Sequence, residues 1–171
     1  LILIGFYSGL IYDSMLVLII GSMIGFVLFN LGFFGKKREV FLGDSGSNLV
    51  GFWVAWVAIY ASQSEIYSIE PITALWFVAI PLLDCIGLIF SRTRKGKSWS
   101  SADRNHIHHK LMQKYSSRGT LFIILFITFI TGIFGILLEI YLASNISTLL
   151  FLIYACIYYI YTGIFLNKKH I

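Results

Sequence analysis

The sequence predicts an all-α protein, a polytopic transmembrane helix bundle with about five full spans and a truncated one at the N-terminal side. Three observations predict it. Hydrophobic residues make up 58% of the 171 and charged residues only 12%, about half the charge of an ordinary soluble domain. The mean hydropathy is +0.84, and the apolar runs approach the roughly 20 residues that a bilayer-spanning helix needs. Lys and Arg fall only in alternate connections, the pattern that orients membrane helices. Short alternating strands with turns are absent, and an open sheet would leave its backbone unsatisfied in lipid. One integral membrane domain over residues 1–171 follows.

Taken in order, residues 1–12 read as the end of a helix. The chain opens Leu1-Ile2-Leu3-Ile4, with Met15 as its first methionine. That opening has neither the basic stretch nor the small-residue cleavage site of a signal peptide. A start inside a helix of a longer protein is expected. Full spans follow at 14–34, 47–62, 72–90, 120–141 and 147–166. The 47–62 run is short, so that span is expected to tilt little or to borrow flanking residues. Cys85 and Cys156 lie inside apolar runs with no Cys or His partner nearby. They read as buried thiols packing as small apolar groups.

Charge sets the orientation. The connection 35–46 holds Lys36, Lys37 and Arg38. The connection 91–119 holds Arg92, Arg94, Lys95, Lys97, Arg104, Lys110, Lys114 and Arg118, and the tail holds Lys168 and Lys169. These are all 13 basic residues of the chain. The alternate connections hold none, and 63–71 carries Glu65 and Glu70. Five spans put the three basic segments on one side, the cytoplasmic one. Topology and anionic lipid account for the net charge of +5, so nucleic acid is not expected as a partner.

Two cytoplasmic connections are richer than orientation requires. The first reads Phe41-Leu42-Gly43-Asp44-Ser45-Gly46-Ser47-Asn48, just before a span. Glycines let a backbone approach a phosphate, and a helix N-terminus offers free N–H groups to an anion. Asp44 could then hold Mg2+, which takes one or two carboxylates plus substrate phosphates. A turn in which Asp44, Ser45 or Ser47 caps the helix is the simpler account of this loop alone. The second is the His-containing loop 91–119, with Asp103-Arg104-Asn105-His106-Ile107-His108-His109 at its centre. A helical reading puts His106 and His109 on one face and points His108 away. Imidazoles beside an Arg can donate to phosphate oxygens or move a proton near neutral pH. A zinc site has only Asp103 as an obvious further ligand, and a solvated polar loop is the plain alternative.

Asp84 is a third candidate. It lies in an apolar run after Pro81, and a carboxylate there is costly enough to suggest a function, direct or supporting. Pairing with a snorkelling loop Arg or Lys is the alternative. Asp13, Glu139, Glu65 and Glu70 read as residues of the opposite interface.

Four blocks in this order and spacing carry a resemblance. They are Phe-Leu-Gly-Asp-Ser-Gly-Ser (41–47), Pro-Ile-Thr-Ala-Leu-Trp (71–76), Ala-Ile-Pro-Leu-Leu-Asp (79–84) and Asp-Arg-Asn-His-Ile-His-His (103–109). Over residues 15–166 the chain resembles the polyprenyl-phosphate N-acetylhexosamine-1-phosphate transferases, glycosyltransferase family 4. The His-Ile-His-His form points to the undecaprenyl-phosphate N-acetylglucosaminyl branch; the phospho-MurNAc-pentapeptide branch carries a three-histidine run. The resemblance implies that Asp44 binds Mg2+, with Mn2+ as the alternative ion, and that His106 is catalytic. It implies that Arg92, Asp103, Arg104, His108 and His109 surround the sugar and diphosphate. Asp84 matches a family position of unspecified role. An Asp-Asp pair and an Asn-rich, Asp-containing motif of the family are missing from these 171 residues. The chain is therefore expected to be a C-terminal part holding half of a site, inactive alone.

The implied reaction is transfer of N-acetylhexosamine-1-phosphate from a UDP-sugar to undecaprenyl phosphate in the bacterial inner membrane, with the site facing the cytoplasm. UMP leaves, and the product feeds surface polysaccharide synthesis. Membrane lipids are the surroundings, and a homodimer is one option for the assembly. The competing class is a transporter or flippase subunit using Asp84. It predicts polar groups across several spans, yet the spans after residue 120 carry only Glu139.

Overall fold

The computed structural model describes residues 1–10, 13–31, 33–35, 40–63, 69–94, 96, 98 and 106–162. Among them every regular element is an α-helix, as the apolar runs predict. The chain divides into two compact units, residues 1–74 and 75–171.

In the first unit, α1 (Ile2–Ser8) packs on α3 (Gly43–Gln63). Ile4, Val57, Ala61 and Ile69 are buried there. Helix α1 ends at Ser8, where Gly9 takes a left-handed conformation (φ 81°); residues 11–12 of the predicted segment lie outside the described residues. Helix α2 (Ser14–Asn30) is 17 residues long and stops short of the predicted residue 34. Its start is fixed by Asp13, whose Oδ1 accepts from the N–H groups of Met15 at 2.8 Å and Leu16 at 3.4 Å. Asp13 is thus a helix cap. Helix α3 begins at Gly43 rather than Ser47, absorbs the glycine-flanked motif and reaches 21 residues. At about 1.5 Å per residue this gives the length that the short run lacked.

The predicted span 72–90 is broken. Helix α4 (Pro71–Phe77) and α5 (Ala79–Arg94) meet at an 82° bend. Pro81 is the cause. It has no N–H to offer the carbonyl of Phe77, and its ring crowds that carbonyl, four residues back. The chain tightens there, with Val78 N–H donating to Leu75 O at 3.2 Å. The ladder restarts as Leu82 N–H donates to Val78 O at 3.0 Å.

In the second unit α5, a short α6 (Ile107–Met112), α7 (Ser117–Tyr141) and α8 (Ser144–Ile160) pack on one another. Ser116 caps α7 by accepting from Gly119 N–H at 3.2 Å. The tightest packing surrounds Trp76, 1% exposed, whose indole meets the rings of Phe134, Phe151 and Tyr154. Its Nε1–H donates to Ser147 Oγ at 3.2 Å. A second cluster joins Ile80 and Leu83 of α5 to Tyr158 of α8, with Ile107, Ile124 and Ile127 against it.

Among the described residues α7 alone is long and apolar enough to cross a bilayer, and α4 with α5 passes as a bent pair. Helices α2 and α8 are apolar but shorter. Phe122, Leu125 and Phe126 of α7 are exposed, a surface suited to lipid. Cys85 and Cys156 are exposed as well, which corrects the expectation of buried thiols.

Candidate functional site

The site is assembled where α6 docks against α5, α7 and α8. A six-residue helix is too short to hold itself together in isolation. Two anchors hold it. Leu111 is buried, and Ile107 packs on the Ile80–Leu83–Tyr158 cluster. The first free N–H of α6 is satisfied from outside the helix: Ile107 N–H donates to Asp84 Oδ1 at 2.9 Å. His106 occupies the N-cap position with φ −56° and ψ 147° but makes no side-chain cap of its own. Asp84 therefore caps a helix 23 residues further along the chain.

The other oxygen of the same carboxylate meets His106. Asp84 Oδ2 lies 2.8 Å from His106 Nδ1, with the two side chains 16% and 37% exposed. Tyr158 O–H adds a longer bond to Oδ1 at 3.4 Å. Tyr159 O–H donates to Leu83 O at 3.2 Å, which ties α8 to the turn of α5 carrying Asp84. Gly87 makes this approach possible, since a Cβ there would come within 2.9 Å of the Tyr159 ring. At the far end of α6, Lys110 Nζ donates to Thr162 O at 3.3 Å.

The three imidazoles come together. His106 and His108 rings are 5.4 Å apart, His106 and His109 6.5 Å, and His108 and His109 4.2 Å. The helical reading pointed His108 away from the others. That is corrected: His106 sits before the helix, at the cap, and the adjacent His108 and His109, about 100° apart around the helix, turn their rings toward each other. Burial holds the His108 pKa below its ordinary value, the His109 and His106 rings push the same way, and Asp84 opposes them. Near neutral pH His108 is thus an uncharged imidazole, able to donate one hydrogen bond and accept another.

The remaining predicted residues are placed less closely. Arg92 lies half-buried in the last turn of α5 with Arg94, where positive charge complements the helix dipole. Asp103 and Arg104 lie outside the described residues. Asp44 belongs to the first unit, in the first turn of α3, with its side chain exposed. Gly43 has φ 67°, a conformation that favours glycine. At Gly46 a Cβ would come within 2.7 Å of Leu42 Cγ, so the Leu42 side chain would have to turn aside. Of the three capping candidates, Ser47 instead donates its hydroxyl back to Gly43 O at 2.8 Å.

Among the described residues no group of three or more His, Cys, Asp or Glu is arranged to hold a metal ion. An exposed carboxylate in a helix first turn is nonetheless a fitting hard-oxygen ligand for Mg2+ whose other ligands are phosphate oxygens and water. Sequence reasoning missed Tyr158 and Tyr159. They sit in an apolar run where tyrosine reads as interfacial, and 74 residues separate Tyr158 from Asp84. Their adjacency to one another, away from the run's ends, was the available signal.

Residues 1–62 match the family model described as glycosyl transferase family 4. The chain is 40% identical over 121 residues to an undecaprenyl-phosphate alpha-N-acetylglucosaminyl 1-phosphate transferase of Yersinia pestis, covering 70% of this chain and 33% of that protein. It is 39% identical over 129 residues to the protein of that name in Haemophilus influenzae, covering 74% of this chain and 36% of the relative. For the Salmonella typhi protein the identity is 45% over 94 residues, 55% of this chain and 26% of the relative. The chain thus spans about a third of the length of the curated relatives it matches. No solved structure matches it. Four sequence blocks, a matching family model and three relatives of one name agree, and the chain belongs to glycosyl transferase family 4.

Proposed function

We propose that this chain forms part of a multi-pass inner-membrane enzyme that moves N-acetylhexosamine-1-phosphate, most simply N-acetylglucosamine-1-phosphate, from its UDP conjugate to undecaprenyl phosphate. The observation that carries the reading is the likeness to transferases of that name over 70% of the chain. The histidine cluster supports it, because it offers hydrogen-bonding groups to an anionic substrate outside the apolar helices.

The reaction is phosphoryl transfer. An oxygen of the lipid phosphate attacks the sugar-linked phosphorus and forms a new P–O bond. The bond from that phosphorus to the bridging oxygen breaks, and UMP leaves with that oxygen. Lipid diphosphate sugar remains in the membrane. Such reactions depend on positioning and on charge stabilisation at the phosphate oxygens. Asp44 would hold Mg2+, which when bound offsets negative charge on the diphosphate. His106, His108 and His109 present ring nitrogens to the phosphates, and donors preset in that way stabilise developing charge without reorganising. Arg92, Asp103 and Arg104 complete the binding of the diphosphate and sugar in this reading. A site on the cytoplasmic face suits a water-soluble nucleotide sugar meeting a lipid acceptor, and the product enters surface polysaccharide synthesis.

The test is UMP release by the full-length polypeptide in membranes, with UDP-N-acetylglucosamine and undecaprenyl phosphate. Asp44→Asn and His106→Ala are each expected to slow it by about 100-fold or more, the usual scale for a group acting on developing charge or a proton. Chelation of divalent cations is expected to stop it, and added Mg2+ to restore it. Near-normal rates in both variants would remove the site assignment.

A further inference from the structure

The strongest unexplained feature is that one carboxylate inside an apolar helix has both oxygens committed to the same short segment. Asp84 Oδ1 accepts from Ile107 N–H at 2.9 Å, and Oδ2 lies 2.8 Å from His106 Nδ1. An ionised carboxylate is an acceptor only, so in the pair with ionised Asp84 the shared hydrogen belongs to the imidazole. In that pair Nδ1 of His106 is the protonated nitrogen. Nε2 is the ring atom left to meet a substrate.

We propose that Asp84 is the positioning residue of this site: it fixes the tautomer and the orientation of His106 so that Nε2 carries the working lone pair or proton. The kinetic part of this proposal rests on the transferase reading above; the tautomer part does not. The geometry favours it over a plain snorkelling ion pair. Both partners are held by further bonds, Asp84 by Ile107 N–H and Tyr158 O–H, and His106 by its place at the α6 cap. An imidazole whose Nδ1 is held by a carboxylate is fixed in rotation as well as in tautomer.

Asp84→Asn is the informative change because it keeps the shape. The Asn Oδ1 still accepts from Ile107 N–H and Tyr158 O–H. The amide nitrogen then takes the place of Oδ2 and donates where the carboxylate accepted. Nδ1 of His106 must become the acceptor, and the ring hydrogen moves to Nε2. A purely structural role for Asp84 predicts no such reversal.

The experiment has two arms on the full-length protein. In the first, 15N-labelled histidine is observed by NMR at about pH 8, above the ordinary histidine pKa near 6.5, with His106→Gln used to assign the signal. The wild type is expected to show the Nδ1–H tautomer at His106 and Asp84→Asn the Nε2–H tautomer. An unchanged tautomer would overturn the proposal whatever the enzyme does. In the second arm UMP release is measured. Asp84→Asn is expected to lower kcat about 100-fold with the KM for the nucleotide sugar changed less than about threefold, a loss confined to the transition state. In a His106→Ala background the same substitution is expected to change the rate by less than about threefold, since it acts only through the missing ring. An equal loss in both backgrounds would also overturn it. A wild type that turns over no UDP-sugar, yet shows the tautomer reversal, would defeat the transferase reading and leave the His106–Asp84 assignment standing.

Discussion

Gly135 of α7 is the position at which the second unit can be broken by adding one methyl group. A Cβ built there comes within 2.9 Å of Trp76 Cγ and 3.2 Å of Cδ1, and it overlaps Trp76 Cβ more closely still. Ordinary carbon contacts lie at about 3.5–4.0 Å. The indole cannot rotate away, because the colliding atoms are at its root and the ring is pinned by Phe134, Phe151, Tyr154 and the Ser147 hydroxyl. Gly135→Ala must therefore push Trp76 and α7 apart by about 1 Å. Overpacking of this kind costs about 1–3 kcal/mol. Against it stands a gain of up to about 1 kcal/mol from replacing glycine in a helix. The net is a loss of about 1–2 kcal/mol. For a chain of this size that lowers Tm by roughly 2–8 °C.

The assay is thermal unfolding of the detergent-solubilised protein, with Gly21→Ala as the control. A Cβ at Gly21 meets nothing within 4 Å, so that variant is expected to melt at or slightly above the wild type. The same Gly135→Ala change in a Trp76→Ala background is expected to be neutral or stabilising, because its collision partner is gone. A Gly135→Ala protein that melts no lower than the wild type would refute the reasoning. So would an equal loss in both backgrounds.

His108 should make stability fall on acidification. Its pKa is lowered in the folded chain, so just below the ordinary value near 6.5 the unfolded chain binds more protons and stability drops as pH falls. His108→Gln is expected to flatten that part of the Tm–pH profile, and an unchanged slope would count against the assigned shift. Pro81→Ala restores an N–H opposite the Phe77 carbonyl and should let α4 and α5 straighten. A spin-label pair on the exposed Leu75 and Phe90 is expected to lengthen in that variant, and an unchanged distance would mean that packing, not proline, sets the 82° bend.

The helices were legible in the sequence because long apolar runs constrain composition over wide windows. The long apolar run behind α7 needs no tertiary information to be read as a helix. Boundaries were less legible, and each error has a local cause. Gly9 stops α1, Asp13 starts α2, and the motif 41–47, loop-like in sequence, has its glycines at and inside the first turn of α3. The break at Val78 could have been read from Pro81, since the carbonyl that a proline displaces is always four residues back. The candidate site was legible as a set of residue types but not as a geometry. His106, His108, His109 and Asp84 were all named from sequence. That Asp84 joins them through His106 and Ile107, with Tyr158 behind it, depends on tertiary contacts spanning 22 to 74 residues.

The same contacts explain why the histidine segment is helical where it is. Alone, Ile107–Met112 has too few residues to nucleate, and no side chain of its own caps its start. Its order comes from the Ile80–Leu83–Tyr158 cluster below and from the Asp84 carboxylate at its tip. Folding of the second unit and assembly of the imidazole cluster are therefore one event. A change that weakens the α5–α8 contact, such as Gly87→Ala against the Tyr159 ring, should disturb His106 as surely as a change beside it. A purely solvated polar loop would be indifferent to that contact, and this is the physical difference between a connection that only marks topology and one that holds a site.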